Sequence, residues 1–560
     1  MQLPRMSSTA AFVFLETLWE AGVSHVFVVF GFDNPSILGA IGVGQKTRPD
    51  RFPKIVTCPT EFVAVSMADG FSRLTGKMQA IFVRGDVGTE ELGAAMHNAS
   101  IGRVPVLVFA ELSSIALNGE TAGFRSDYKQ YIPDLPDQRQ IASQYCRYTE
   151  QITKGKNIRQ FVNRGIQFAN SEPKGPVYLT AAREILADEV ESIPSLSLKV
   201  SVSPSPLSDF GVEMIANHLV YADEPLIITS YSGRNPEAVS NLIALADTVK
   251  HLHVLSMGGS EMSFPANHPA SLGTRWGAHP AVATADVILV LDCDVPWVST
   301  QCRPSGSAKI FHIDIDPLKP QMTLCDIPSL ATFRADSAMS FKQLNRCINN
   351  CALMKSQIAQ TMSYRDGFYR YRRLSNEHIP VYGPRDPLNA FHLIKEVRKF
   401  CPEDTIWAVE AATLSSIVAN QVAATHPKSW FTCGGGHGWS GGGALGIKLA
   451  TDFLRGGKGK GKFVCQIVGD GGYMSSIPSS VYWISHRYGI PVLTIMLNNE
   501  RWAAPRPAPL AVQSNGYGSR MISKKLGASS QQSPNYPGIA AAASGGSIWA
   551  GCASTVAELA

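Results

Sequence analysis

Short apolar runs alternate with amphipathic segments through the N-terminal third of the chain. The runs His25–Phe30, Lys54–Thr57 and Ala80–Val83 predict buried strands because they are short and bounded by polar residues. The segments Thr9–Ala21 and Phe62–Leu74 carry apolar residues at the spacing of one helix face. Strands that alternate with helices in this way are typical of a doubly wound parallel sheet.

The same alternation recurs twice further along the chain, and two stretches of different composition separate the blocks. Residues 191–208 are rich in Ser and Pro, and residues 350–386 are charged and aromatic, so both predict linkers. The predicted fold class is therefore α/β, with three doubly wound parallel-sheet domains over residues 9–190, 209–345 and 387–560. The central block has no clear dinucleotide fingerprint, and we expect it to be a structural domain.

The third block contains a strand, a helix and a second strand. The runs Phe463–Val468 and Pro491–Leu497 predict buried strands, and the segment between them has helical spacing. Such a βαβ unit has a right-handed crossover. The first strand is broken at Gly469–Gly472 and the second at Asn498-Asn499. Both breaks therefore lie at the carboxyl ends of parallel strands, where open α/β sheets bind ligands.

The residues at the two breaks suit a magnesium–diphosphate. Asp470 offers a carboxylate and Asn499 an amide oxygen, and such oxygens hold Mg²⁺ together with phosphates. The glycines Gly469, Gly471 and Gly472 allow the backbone to approach a ligand closely. No Gly-Lys-Ser/Thr follows them, so the motif is not a P-loop. The structural alternative is a pair of turns that simply end two strands.

The whole stretch from Gly469 to Asn499 resembles the thiamine-diphosphate signature of the acetolactate synthase and benzoylformate decarboxylase group. The resemblance implies a thiamine-diphosphate enzyme that needs Mg²⁺, with Asp470, Asn499 and Arg501 as the metal-binding set. It also implies that the glycines around Asp470 bind the cofactor. Relatives pair their domains across a two-fold interface, so we expect a homodimer or homotetramer.

Glu61 opens the predicted helix Phe62–Leu74. From local sequence alone it is a first-turn carboxylate favoured by the helix dipole. The segment also resembles the family stretch in which a glutamate precedes an alanine-rich helix that ends, here, in Gly70-Phe71-Ser72-Arg73. By that resemblance Glu61 is the catalytic residue that hydrogen-bonds N1′ of the cofactor pyrimidine.

The stretch Asp86–Glu111 resembles the next family segment, in which several decarboxylases carry an active-site histidine just before a proline. Here Arg103 is the nearby polar residue, and His97 lies further upstream. Both are candidate catalytic residues. Arg103 either binds a substrate carboxylate bidentately or is a surface residue at a helix end, and the sequence leaves both readings open.

A glycine-rich loop, Cys433–Gly443, precedes another predicted helix. Such a loop brings backbone groups close to a ligand, and by resemblance Gly435, Gly436 and His437 bind the cofactor's aminopyrimidine. His437 falls where relatives place a bulky apolar side chain that bends the cofactor. It is either a packed imidazole or an acid–base group beside C2.

Composition narrows the class of protein. A formal net charge of +5 over 560 residues does not point to nucleic acid, and no apolar stretch reaches membrane-spanning length. The 11 cysteines show no metal-ligand spacing and are typical of reduced thiols. The N-terminus is a poor secretory or transit signal, so we expect a cytoplasmic protein rather than a mitochondrial one. The C-terminal domain is expected to lack a final strand and helix.

The function that the resemblance implies is decarboxylation of a 2-oxo acid followed by transfer to a carbonyl acceptor, an aldehyde or a ketone. Two alternatives remain open at this point. One is a simple 2-oxo acid decarboxylase or C–C lyase. The other is a non-catalytic homologue that binds the cofactor and acts as a partner subunit. FAD in the central domain is possible but is not the favoured prediction.

Overall fold

The computed structural model describes residues 7–31, 34–126, 128, 131–191, 201–319, 321–322, 324, 326–361, 383–500, 507–521 and 533–559. The chain divides into two compact units. The first comprises Met1–Ser203, Cys433–Met496 and Pro534–Ala550, and the second comprises Pro204–Thr432, Leu497–Ser533 and Gly551–Ala560.

The N-terminal part of the first unit is a six-stranded parallel sheet. Its strands follow the order β3-β2-β4-β5-β7-β6, and every neighbouring pair is parallel. The strands of this part, with a small antiparallel β1–β8 pair beside the sheet, are β1 Ser7–Thr9, β2 His25–Val28, β3 Lys54–Thr57, β4 Gln79–Val83, β5 Val106–Leu112, β6 Tyr148–Ile152, β7 Val177–Ala182 and β8 Glu189–Glu191. Its helices are α1 Ala10–Glu20, α2 Pro35–Thr47, α3 Glu61–Thr75, α4 Val87–Glu91, α5 Gly93–Ile101, α6 Gln138–Ser143, α7 Ile158–Asn170 and α8 Arg183–Ala187.

Apolar residues of these strands are buried by the helices that cross the sheet. The ring of Phe14, on α1, lies 5.2 Å from that of Phe82 and 4.9 Å from that of Phe109. Helix α1 begins where the Thr9 hydroxyl accepts a hydrogen bond from the Phe12 N–H, as an N-cap does. The predicted strands and helices of this region are confirmed, with ends that shift by one or two residues.

The second unit contains another six-stranded parallel sheet, in the order β11-β10-β9-β12-β13-β14. Its strands are β9 Pro225–Thr229, β10 His253–Met257, β11 Ser271–Arg275, β12 Val287–Leu291, β13 Lys309–Asp314 and β14 Ala331–Arg334. Its first helices are α9 Asp209–Tyr221, α10 Pro236–Thr248, α11 Pro280–Thr284, α12 Ser337–Asn350 and α13 Ala352–Gln360. The strand order reverses between β9 and β12, as it does in doubly wound folds.

The C-terminal third contributes further parallel pairing. Strands β15 Ile406–Glu410 and β16 Trp430–Thr432 run parallel, and β17 Val464–Gly469 neighbours β18 Leu493–Leu497. The helices are α14 Ala390–Phe400, α15 Ser415–Val422, α16 Trp439–Leu454, α17 Asp470–Ser475, α18 Pro478–Tyr488, α19 Pro507–Val512, α20 Tyr517–Arg520, α21 Tyr536–Ala543 and α22 Val556–Leu559. The predicted α/β fold class is confirmed.

The domain boundaries drawn from sequence remain predictions. The two predicted linkers fall partly outside the described residues, at 192–200 and 362–382. Among the described helices, none combines the length and apolar character that a membrane crossing requires.

Helices α3 and α16 cross in very close contact within the first unit. A Cβ added at Gly70 would collide with the carbonyl of Gly443, and one added at Gly446 would collide with the carbonyl of Met67. A Cβ at Gly442 would lie 2.7 Å from Cβ of Ser66. Glycine is therefore required where the two backbones meet. The crossing joins the helix that begins at Glu61 to the helix that follows the glycine-rich loop.

Candidate cofactor site

Asp470 is the first residue of α17, directly after β17 ends at Gly469. Its Oδ1 accepts a hydrogen bond from the Gly471 N–H at 2.9 Å, while its Oδ2 is buried and accepts no hydrogen bond from any residue that the structure describes. Burial raises the pKa of this carboxyl above its ordinary value. A buried carboxylate oxygen without a donor is costly, and a bound cation would offset that cost. The arrangement fits the predicted Mg²⁺ ligand.

The glycine-rich loop lies against the end of α17. Gly438 has a φ of 96°, and a Cβ at this position would collide with the carbonyl of Ser475. Only glycine combines that conformation with that contact. The loop predicted to face the cofactor therefore packs directly against the short helix that carries Asp470.

Asn98, on α5, fixes the other side of this loop. Its Oδ1 accepts from the Gly436 N–H at 2.6 Å, and its Nδ2 donates to the Gly436 carbonyl at 3.3 Å. The Asn98 side chain is 1 % exposed. The amide thus satisfies both backbone groups of Gly436, a residue predicted to bind the cofactor. Sequence reasoning singled out the neighbouring His97 and missed Asn98. The available signal was that Asn98 is a polar residue at helical spacing from apolar residues that are buried.

The structure places His97 on α5 and His437 in the glycine-rich loop before α16. Both are exposed in this chain. The His97 ring packs edge-on against Tyr145, with centroids 5.9 Å apart, and its Cε1 lies 3.7 Å from the place a Cβ would take at Gly435. Catalytic roles for the two histidines remain predictions.

Trp439 anchors the start of α16 on α3. Its ring is 1 % exposed, and Nε1 donates to Oδ1 of Asp69 at 2.8 Å. The Arg73 guanidinium lies 5.2 Å from the Trp439 ring centroid and 3.9 Å from the Asp69 carboxylate. The Arg73 that closes the family-like segment therefore has a structural role in this chain. The sequence did not reveal this contact because its partners are far apart along the chain.

Glu61 is the first residue of α3, and its side chain is only 5 % exposed. Burial above all, together with the neighbouring Glu91 carboxyl, raises the pKa of this carboxyl to about 7 against the opposing effect of the Arg84 charge. A Cβ at Gly88 would lie 2.8 Å from the Glu61 Oε1. A helix-start carboxylate in solvent would not be enclosed in this way. A carboxyl that titrates near neutral pH is suited to share a proton with a ring nitrogen.

Arg103 lies in the turn between α5 and β5. Its backbone has a φ of 49°, and its N–H donates to the Ser100 carbonyl at 2.9 Å. Arg103 is half-buried, so it lies neither fully in solvent nor in the hydrophobic core. Its role as a substrate ligand remains a prediction.

The structure tests neither of the two further metal candidates, Asn499 and Arg501. Asn499 is half-buried and follows β18, but it belongs to the second unit, whereas Asp470 belongs to the first. Arg501 lies outside the described residues. In the stretches that the structure describes, no hydrogen bond or ion pair joins Glu61 to Asp470. The complete cofactor-binding set therefore remains a prediction.

Three family models match the chain in order. They are the thiamine pyrophosphate enzyme N-terminal TPP binding domain over residues 8–141, the central domain over 212–334, and the C-terminal TPP binding domain over 411–559. Together they span most of the chain.

Curated relatives and solved structures agree with these models. The sulfoacetaldehyde acetyltransferase of Castellaniella defragrans is 22% identical, covering 95% of this chain and 87% of its own length. The acetolactate synthase large subunit of Lactococcus lactis subsp. lactis is 22% identical, covering 87% of this chain and 80% of its own length. The crystal structure of benzoylformate decarboxylase from Polynucleobacter necessarius superposes with a TM-score of 0.77 at 16% identity, covering 98% of this chain and 94% of that one.

Proposed function

The chain belongs to the thiamine pyrophosphate enzyme family, and on that premise we propose that it decarboxylates a 2-oxo acid and transfers the remaining acyl group to a carbonyl acceptor. The observation that carries the proposal is the enclosed Glu61 carboxyl, whose pKa of about 7 suits proton sharing with a neutral ring nitrogen. Thiamine diphosphate, when bound, supplies the electron sink for the departure of CO₂.

The roles of the residues follow from their chemistry. Asp470 would hold Mg²⁺ through its buried Oδ2, with Asn499 and Arg501 completing the metal-binding set. The Gly469–Gly472 turn would bind the diphosphate through its backbone. Glu61 would hold a proton at the pyrimidine nitrogen N1′. Asn98 would keep Gly436 in place, and with it the backbone that faces the aminopyrimidine.

Arg103 is our proposed ligand for the substrate carboxylate. Guanidinium binds carboxylate bidentately and stays charged at every relevant pH. Arg103 follows the C-terminal end of α5, the helix that carries Asn98, and this position supports the role. An Arg103→Ala variant should raise KM for the 2-oxo acid more than it lowers kcat, because a ground-state binding contact is lost. Arg164→Ala, on the exposed part of α7, is the matched control.

Relatives support both outcomes after CO₂ leaves. The names of two relatives describe acyl transfer or carbon–carbon bond formation, those of an acetyltransferase and an acetolactate synthase. Others are named as decarboxylases, among them a 4-hydroxybenzoylformate decarboxylase from Rhodococcus jostii that superposes with a TM-score of 0.72. We propose transfer as the main reaction and simple decarboxylation as the second candidate.

The test is a screen of 2-oxo acids with added thiamine diphosphate and Mg²⁺, in the presence and absence of acceptor aldehydes and ketones. Mass spectrometry separates the products. A condensed product that needs the acceptor supports transfer, whereas an aldehyde formed equally with and without acceptor supports the simple decarboxylase. Cofactor binding with no turnover of any acid would identify a non-catalytic partner subunit. Asp470→Ala is the control for cofactor-dependent turnover.

We also propose that the protein works in the cytoplasm, because its described cysteines are free thiols that suit a reducing compartment. We further propose a homodimer or homotetramer, since relatives of this family are often oligomeric. FAD in the central domain remains the less favoured prediction.

A further inference from the structure

The hydroxyl of Thr60, the residue directly before Glu61, has no hydrogen-bond partner among the residues that the structure describes. Its Oγ1 is buried, whereas Thr60 as a whole is half-buried. The hydroxyl therefore lies at the boundary between the protein interior and solvent. A hydroxyl can donate one hydrogen bond and accept two, and a buried hydroxyl that makes none of them is costly.

Thr60 occupies the N-cap position of α3, where a threonine hydroxyl ordinarily caps the helix. Its backbone is extended, and its carbonyl accepts from the Ala64 N–H at 3.1 Å. No hydrogen bond joins its side chain to this helix, every residue of which is described. Thr9 has the same position and an extended backbone before α1, and there the hydroxyl accepts from the Phe12 N–H at 3.3 Å. The Thr60 hydroxyl thus does not take the capping role that its residue type and position favour.

The chain on either side of Thr60 is fixed, so a loose backbone does not explain the missing cap. Before it, the Thr57 N–H donates to the Tyr488 hydroxyl at 2.7 Å. After it, Glu61 is 5 % exposed, and a Cβ at Gly88 would lie 2.8 Å from the Glu61 Oε1. A hydroxyl on a fixed backbone next to this carboxyl, without a partner among the described residues, is suited to bind a ligand.

We propose that the Thr60 hydroxyl binds thiamine diphosphate and makes its hydrogen bond only when the cofactor is present. This inference rests on the proposed function, in which Glu61 holds a proton at the pyrimidine nitrogen N1′. Because Thr60 directly precedes Glu61, its hydroxyl belongs to the pyrimidine end of the site and not to the diphosphate end at Asp470. The aminopyrimidine has ring nitrogens that accept and an amino group that donates, and a hydroxyl can pair with either.

Binding and stability of Thr60→Val together test the proposal, because valine keeps the branched shape and removes the hydroxyl. Isothermal titration calorimetry with Mg²⁺ should show Kd for thiamine diphosphate raised by about 2- to 10-fold, the effect of one neutral hydrogen bond. Kd for inorganic diphosphate with Mg²⁺ should not change, because this probe has no pyrimidine. The cofactor-free variant should unfold at a Tm equal to or above that of wild type, because no hydrogen bond within the protein is lost.

Two control variants remove a hydroxyl away from the proposed ligand. Thr9→Val removes the hydroxyl that caps α1, so it should lower Tm and leave Kd unchanged. Ser72→Ala removes another buried hydroxyl of α3 that has no partner in the described part of the chain. It should leave Kd unchanged without lowering Tm.

Thr60→Ser keeps the hydroxyl and should bind thiamine diphosphate with a Kd within about 2-fold of wild type. Thr60→Ala also removes the hydroxyl, and it takes the place of Thr60→Val if the valine variant does not fold.

An unchanged Kd for thiamine diphosphate in Thr60→Val would overturn the proposal, because the hydroxyl would then not contact the cofactor. A lower Tm would overturn it by showing that the hydroxyl has a partner within the protein. An equal loss of affinity for inorganic diphosphate would do so by showing a general distortion of the site. If wild type binds the cofactor but turns over no 2-oxo acid, the proposed function fails while the role of Thr60 is still tested.

Discussion

The carboxyl groups of Glu61 and Asp470 are both buried, and burial raises the pKa of each above its ordinary value. The surroundings of the two carboxyl groups differ. Glu61 is enclosed where Gly88 of α4 approaches its Oε1, whereas Oδ2 of Asp470 has no hydrogen-bond donor among the described residues. The first arrangement suits a proton and the second suits a cation.

Asp470→Ala should abolish Mg²⁺-dependent binding of thiamine diphosphate, because it removes the only buried carboxylate oxygen at the end of β17 that lacks a hydrogen-bond donor in the described part of the chain. Isothermal titration calorimetry measures the affinity with Mg²⁺ and with EDTA. EDTA should abolish binding to the wild type in the same way. Asp209→Ala, an exposed change in the second unit, should bind as the wild type does. Full affinity for the Asp470 variant or in EDTA would contradict the metal site.

Glu61 should also make stability depend on pH. Its pKa is about 7 in the folded chain, above the ordinary glutamate value, so the folded protein holds a proton that the unfolded chain has already lost between about pH 4.5 and 7. The stabilisation is therefore complete below that range and is lost as pH rises through it. Thermal unfolding from pH 5 to pH 8 should show a greater fall in Tm for wild type than for Glu61→Gln. Parallel pH curves for the two proteins would contradict the raised pKa.

At the scale of elements, the close crossing of α3 and α16 holds together two helices: one begins at Glu61, and the other follows the glycine-rich loop. Sequence analysis predicted both helices and recognised the Gly70–Arg73 ending, but assigned that ending no contact. The structure explains it through Gly70 packing on Gly443 and Arg73 lying over Trp439. Apolar periodicity reveals which face of a helix is buried, but not which partner covers it.

Gly446→Ala should destabilise the protein, because its Cβ would meet the Met67 carbonyl, which cannot move without separating the helices. Overpacking of this kind costs about 1–3 kcal/mol. Gly39→Ala is the control, since a Cβ there meets nothing within 4 Å in the exposed middle of α2. That change should stabilise by up to ~1 kcal/mol through helix propensity. Chemical denaturation measures both, and a neutral Gly446→Ala would contradict the close crossing.

Other elements were predicted with uneven success. The strands were found wherever a short apolar run had polar ends, as in β3 and β4. The short helix α17 was not predicted, because Gly469–Gly472 favours a turn and its residues lack helical periodicity. The enclosure of Glu61 was also beyond the sequence, since Gly88 is far from it along the chain and approaches it only in the folded structure. The family resemblance, rather than local pattern, identified the residue.

At the scale of the whole molecule, the sequence predicted three α/β domains, and the family models match three successive regions of the chain. The contacts instead group the chain into two compact units, one of which combines the N-terminal sheet with Cys433–Met496. Composition and apolar runs describe segments along the chain. Composition and apolar runs do not show which segments far apart along the chain pack together. A single sequence therefore predicts the elements better than it predicts how the chain divides into compact units.

We expect the active protein to be at least a homodimer. The family resemblance implies an oligomer, and closed two-fold assemblies are the commonest kind. Sedimentation velocity, run at the protein concentration of an activity assay with thiamine diphosphate and Mg²⁺ present, gives the mass of the active species. Activity that resides in a cofactor-saturated monomer would contradict this expectation.

The central claim is that Glu61 activates the cofactor. Its most direct test is the rate of hydrogen–deuterium exchange at C2 of bound thiamine diphosphate, followed by NMR in wild type and Glu61→Gln. The glutamine can still donate a hydrogen bond but cannot ionise, so it should retain most of the cofactor affinity. The exchange rate should fall by ~10²- to 10⁴-fold, the usual contribution of a proton-transfer group. Equal exchange rates in the two proteins, each saturated with cofactor, would remove Glu61 from the mechanism.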